Sequence, residues 1–345
     1  MKRSQSLKLL LSAAAVTVFA YAAGPAFSWG APGHEYVGAI ADQLIGPRLQ
    51  AKVAEILGPQ IKDLRTAGPW ADCVRSVVKQ GDKFVYSPDP AHPEYTANCH
   101  AFETPEEKAR MEDYAARNWT DCDYKNGGQC HAAYHFADIA VQRNGYDVSE
   151  TGANDHDVVH AINACIKVLE GQPAPSPFSI KDKKEALLLL AHFVGDETQP
   201  LHVASVYLDA NGALIDPDAP NHPDLLPTET FGGNSIHDHG HNLHSEWDDI
   251  PADWVGPTAE DLTATRLIPP TAGPIDTWAA QWATQTVAVS HRAFAGLAFG
   301  PKVGRGWEVI SPDDGTYAAT RLSLQRTQLQ AGGAHLAQLV STLLK

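Results

Sequence analysis
Apolar residues recur along most of this chain at three- and four-residue intervals, the period of a helix with one buried face. The spacing predicts one or two amphipathic helices over Gly33–Leu57, with Gly-Pro at 46–47 and 58–59 as stops. It predicts a helix over Val158–Leu169, with Ala161, Ile162, Cys165, Ile166 and Leu169 on one face. Two more are expected over Thr277–Leu297 and Thr316–Leu344. Lys181–Gly195 differs, because its middle, Ala186–Leu190, is nearly all apolar and belongs at the centre of a bundle. Strand-like alternation is scarce, so the expected fold is all-α. Asp209–Gly233, rich in Pro, Asp, Asn and Gly, reads as a long surface loop, and a loop of that length in a compact domain is often functional.

The start of the chain has another pattern. Lys2, Arg3 and Lys8 precede a short apolar run, Leu9–Ala20, and small residues lead to Ser28. Residues 1–28 read as a secretory signal peptide cut between Ser28 and Trp29. The run is short for a membrane span of about 20 residues, so no anchor is expected after cleavage. Residues 29–345 then form one domain, secreted or periplasmic. Cleavage would free the α-amine of Trp29, which with its own carbonyl oxygen could chelate a cation. Secretion permits disulfides. The five cysteines leave at least one unpaired or pairing between chains, and Cys122 and Cys130, flanking a turn-rich segment, are the expected pair. Asn118-Trp119-Thr120 is a glycosylation sequon, meaningful only in a eukaryotic secretory pathway.

Charge narrows the chemistry. With 26 Lys+Arg against 41 Asp+Glu the formal net charge is −15, falling to −18 once the three cations of the leader are gone. A bare protein of that charge does not attract polyanions. If it acts on phosphates, something other than Lys and Arg supplies the positive charge, and 16 histidines suggest a metal. His192 and Asp196 stand at i and i+4, on one helix face, and Pro200 ends that helix so that His202 can turn back beside them. His244 and Asp248 repeat the spacing. Asp72 and Arg75 lie one turn apart, His135-Phe136-Ala137-Asp138 forms a further cluster, and Trp29 and His34 mark the new N-terminus. Any one His-x-x-x-Asp pair is commonly a helix ion pair. Two such pairs and an adjacent third His are harder to dismiss. Imidazoles and carboxylates without thiolates suit zinc in a hydrolytic site.

Taken in order, Trp-Gly-x-x-Gly-His, Trp-Ala-Asp-x-x-Arg, His-Phe-x-Asp, His-Phe-Val-Gly-Asp-x-x-Gln-Pro-Leu-His and Asn-Leu-His-Ser-x-Trp-Asp resemble the secreted zinc-dependent single-strand nuclease and 3′-nucleotidase family, which includes fungal nucleases and mung bean nuclease. Zinc phospholipase C is a distant relative. The resemblance implies a mainly helical phospholipase C/nuclease-like domain with long surface loops and three zinc ions. Carried onto this sequence, it gives one zinc Asp72, His135, His192 and Asp196, and a second His202, His244 and Asp248. The third takes the amine and carbonyl of Trp29 with His34 and a shared Asp196. It also implies that Phe136 stacks on a base and Asp138 bonds the base edge.

Three zinc ions, three aspartates and one hydroxide leave the pocket at roughly +2 inside an acidic protein. The implied reaction is attack on phosphorus by a hydroxide bridging zinc ions, with Arg75 neutralising developing charge. Substrates would be single-stranded DNA or RNA, cleaved to 5′-nucleotides, and 3′-nucleotides; no stable protein partner is implied. Departures are Thr198 where the family often has His, and a long Val203–Phe231 segment beside His202 that could reshape access. His237, His239 and His241 read as loop residues. The alternative within the superfamily is a zinc phospholipase C, disfavoured by Asp248 closing the last pair. The alternative outside it is a zinc-storage protein without turnover.

Overall fold
The computed structural model describes residues 29–120, 122, 128–311 and 315–345; the leader expected over 1–28 lies outside them. Helices dominate, as the apolar period requires. The first, α1 (Ala31–Leu57), is two helices joined at Gly46, whose backbone (φ +74°, ψ 167°) leaves the helical region just before Pro47. Short α2 (Leu64–Ala67) and α3 (Trp70–Val74) follow, then α4 (Pro105–Arg117) and α5 (Val158–Leu169). Helix α6 (Lys183–Thr198) starts where Asp182 accepts from Glu185 N, and its residues from Glu185 to Thr198 are all buried. That is the central helix the apolar run predicts, packed by α1, α5 and α11 (Thr316–Leu343). Gly332 and Gly333 let α11 close in, since a Cβ on Gly333 would lie 2.3 Å from Ile40 of α1.

Pro200 does more than end α6. Gln199 caps the turn and Pro200 opens a one-turn helix, α7 (Pro200–Val203), at the position where its missing N–H costs nothing. Later helices are α8 (Leu243–Asp248), α9 (Ala259–Arg266) and α10 (Trp278–Ala293). Helix α9 opens on a Thr258/Asp261 capping box.

Strands are short. β1 (Val77–Gln80) and β2 (Lys83–Tyr86) form a hairpin, with Val77 opposite Tyr86. β3 (Ile139–Ala140) pairs in parallel with β4 (Ala204–Ser205), which brings the His135–Asp138 segment against His202. β5 (Ile236–Asp238) lies between β6 (His241–Asn242) and β7 (Trp307–Glu308), so the His237–His241 run is a tight hairpin rather than loop. Two apolar clusters result. One surrounds α6; the other holds Leu201, Leu243, Trp247 and Trp307 behind α7 and α8.

Cys122 pairs with Cys130 as expected, and Cys73 pairs with Cys99; Cys165 is free and buried. The sequon reading does not survive. Asn118 is fully buried, its Nδ2 donating to Tyr114 O and Ser179 O and its Oδ1 accepting from Ser179 N.

Candidate metal centre
The expected ligands converge between the two apolar clusters. His192 and Asp196 face one point because they are one turn apart on α6, with His192 Nε2 3.1 Å from Asp196 Oδ2. His135 Nδ1 reaches the same oxygen at 3.0 Å. Asp72, carried in by α3, presents Oδ1 3.8 Å from His192 Nε2 and 3.9 Å from His135 Nδ1. The other Asp196 oxygen, Oδ1, lies 3.3 Å from His34 Nε2, and the His34 ring stacks on His192 at 3.7 Å. On the far side, His202 Nε2 and His244 Nε2 stand 3.2 Å apart, with Asp248 Oδ1 and Oδ2 at 3.6 and 3.4 Å from them respectively. All of these side chains are buried. Three groups could thus hold an ion: His135, His192 and Asp196; His202, His244 and Asp248; and His34 with Asp72 and His192. The last grouping sets His34 beside Asp72 as well as the expected Asp196.

The outer contacts settle how the rings are presented. His192 Nδ1 meets Gly68 O at 2.7 Å, His202 Nδ1 meets His135 O at 2.9 Å, and His244 Nδ1 meets Gly232 O at 2.7 Å. A carbonyl only accepts, so each Nδ1 carries a proton, and each ring, once its Nε2 is deprotonated, turns a lone pair inward. Two such lone pairs 3.2 Å apart repel unless something positive lies with them. Among the described residues, nothing donates a hydrogen bond to the buried Asp248 Oδ2. Gln199 Nε2 donates to Asp248 Oδ1 at 2.7 Å and fixes that carboxylate. This donor set fits divalent cations.

Electrostatics agree. Burial opposes ionisation of Asp196, but His192, then His135 and His34, hold its carboxyl well below the usual carboxylate range. Burial pushes the His135 ring down to about 4, against the pull of Asp196. His244 is lowered chiefly by burial. His202 goes the other way: burial would lower it, but its hydrogen bond to Asp248 and the charge of Asp196 raise it to about 9. A cation at the centre therefore competes with a proton there.

Arg75, capping α3, places Nη1 3.5 Å from Asp72 Oδ1 and is mostly buried. Phe136 and Asp138 are half-buried beside the centre. Desolvation and the neighbouring Glu229 carboxylate push Asp138 up to about 7, while His202 and the Gly232 N–H oppose this. Trp29 is buried, its ring against Gly33 at the start of α1. A cavity of about 340 Å³ opens onto Asp72 and Asp248, walled by Gly30, Asn98, Ser245 and Asp249 and by the Cys73–Cys99 disulfide. Gly68, Gly232 and Gln199 were not singled out by sequence reasoning. The first two act through carbonyls, which every residue has; Gln199 sits inside the central motif and could have been noticed.

Residues 29–345 match the family model described as S1/P1 Nuclease. Over 234 residues the chain is 26% identical to Endonuclease 2 of Arabidopsis thaliana, an alignment covering 66% of this chain and 57% of that protein.

Proposed function
The chain belongs to the S1/P1 nuclease family, and from that premise we propose a zinc-dependent phosphodiesterase that cleaves single-stranded DNA and RNA to 5′-nucleotides and removes 3′-phosphates. The observation that carries this reading is the set of three imidazoles, each locked by a backbone carbonyl so that Nε2 faces buried carboxylates. Asp72, His135, His192 and Asp196 would hold one zinc ion, and His202, His244 and Asp248 a second. The third would take His34, Asp196 and the amine and carbonyl of Trp29. Zinc in such sites supplies Lewis acidity and lowers the pKa of water toward neutrality.

The protein's own residues then do the following. Gly68 O, His135 O and Gly232 O orient the ligand rings. Asp196, with an oxygen toward each side, couples two sites. Arg75, held against Asp72, is placed to stabilise charge developing on the phosphoryl oxygens. Phe136 offers a face to a base and Asp138 a partner for its edge. A base already paired in a duplex can use neither, which supports a single-strand preference.

Residues 29–345 act as one unit in this reading, and the two disulfides support release into an oxidising compartment. No helix among the described residues is long and apolar enough to cross a membrane. The deciding assay compares nucleotide release from denatured DNA, RNA and 3′-AMP with phosphocholine release from lecithin. Nucleotide release alone is expected. Phosphocholine release would favour a phospholipase, and no turnover with bound zinc a storage protein.

A further inference from the structure
A phosphodiester held at the metal centre carries a nucleoside on each side, and Phe136 and Asp138 account for one of them. The cavity of about 340 Å³ beside Asp72 and Asp248 is a different place, since neither Phe136, Asp138 nor Gly232 lines it. Its volume falls in the ordinary range for a small-molecule pocket. It touches an aspartate from each of the two zinc groups proposed above, so whatever enters it lies against the reacting phosphate.

One wall of this cavity is built in an unusual way. Asp72 and Cys73 are successive residues of α3, and Cys73 is bonded to Cys99, so the helix that brings in a ligand also ties down the facing segment. Both cysteines are buried. Cys99 N donates to Thr96 O at 3.0 Å, Phe102 N donates to Cys99 O at 2.8 Å, and Phe102 is fully buried. Asn98 sits in the turn closed between Thr96 and Cys99, on the cavity lining and half-buried. Its side-chain amide meets no hydrogen-bond partner among the described residues. An amide offers a donor and an acceptor without charge.

Charge sets the class of ligand. Asp72, Asp248 and Asp249 line the cavity, and none of its lining residues is Lys or Arg. Away from the metal centre it would repel a second phosphate. A neutral nucleoside, with ribose hydroxyls and a base edge that both donate and accept, would meet Asn98, Ser245 and Asp249, with Pro32 and Pro69 as apolar walls. We propose that this cavity is the subsite for the nucleoside that follows the scissile phosphate, and that Asn98 determines specificity there by hydrogen-bonding it. The inference rests on the nuclease reading and deepens it: the Cys73–Cys99 bridge holds the specificity residue over the site.

The test uses the processed, zinc-loaded protein and two diesters that differ only beyond the phosphate, the dinucleoside monophosphate ApA and adenosine 3′-(methyl phosphate). The unaltered protein should prefer ApA. For Asn98→Ala, kcat/KM on ApA should fall about five- to tenfold through KM, the effect of one lost hydrogen bond, with the methyl diester changed by less than about twofold. The pair Cys73→Ala and Cys99→Ala together should show the same selective loss at unchanged zinc content, because the wall is released. Equal loss of both diesters in Asn98→Ala would overturn the proposal, since the side chain would then act on the metal centre itself. No loss on either would overturn it as well. A protein that cleaves neither diester fails the nuclease reading and takes this inference with it, whereas one that cleaves both without preferring ApA sinks the subsite alone.

Discussion
Asp196 presents one oxygen to His34 and the other to His135 and His192. An amide in its place supplies only one acceptor atom. Asp196→Asn should therefore abolish turnover and release two of the three proposed zinc ions, read by metal analysis; full turnover would remove its bridging role. Gln199 touches no proposed ion but holds Asp248. Gln199→Ala should weaken zinc binding by roughly 10–100-fold, the usual cost of losing an outer-shell partner, measured by chelator competition. Ligands of this kind are legible in a sequence because i, i+4 spacing puts both side chains on one face, as at His192/Asp196 and His244/Asp248. Their backbone partners are not, since nothing in the residue type of Gly68 or Gly232 marks its carbonyl as special.

Among elements, α6 was the most readable, because a run apolar on every side has nowhere to go but the centre. Short elements were the least readable. β3 and β4 are two residues each and carry no period, yet their pairing seats His135 beside His202. The Cys73–Cys99 link joins residues 26 apart with no spacing signature. One junction is open to a direct test. Buried Asp261 of α9 accepts from Arg326 Nε of α11 at 2.7 Å and from Tyr36 OH of α1 at 2.7 Å. Burial would raise its carboxyl, but Arg326, Thr258 and Tyr36 hold it far below the ordinary 3.8. A depressed folded-state pKa stabilises the fold above the ordinary value and loses that contribution as pH falls below it. Asp261→Asn should cost about 3 kcal/mol near neutral pH, with the gap to the parent narrowing in acid, as urea melts at several pH values would record.

For the whole molecule the question is where a protein of formal charge −15 finds attraction for phosphate. In this account the attraction is confined to the buried centre, and the surface contributes little. Cleavage of single strands should then depend weakly on salt. A log–log slope approaching that of several released counterions would instead indicate a cationic track along the strand. The acidic balance and the His count were plain from composition, but only the folded chain brings His34, His135, His192, His202 and His244 together among buried aspartates.

Anomalous diffraction at the zinc edge from crystals of the processed protein is the most direct test. The account predicts three peaks: one among Asp72, His135, His192 and Asp196, one among His202, His244 and Asp248, and one between His34 and the freed Trp29 amine. No peak among those side chains would contradict it.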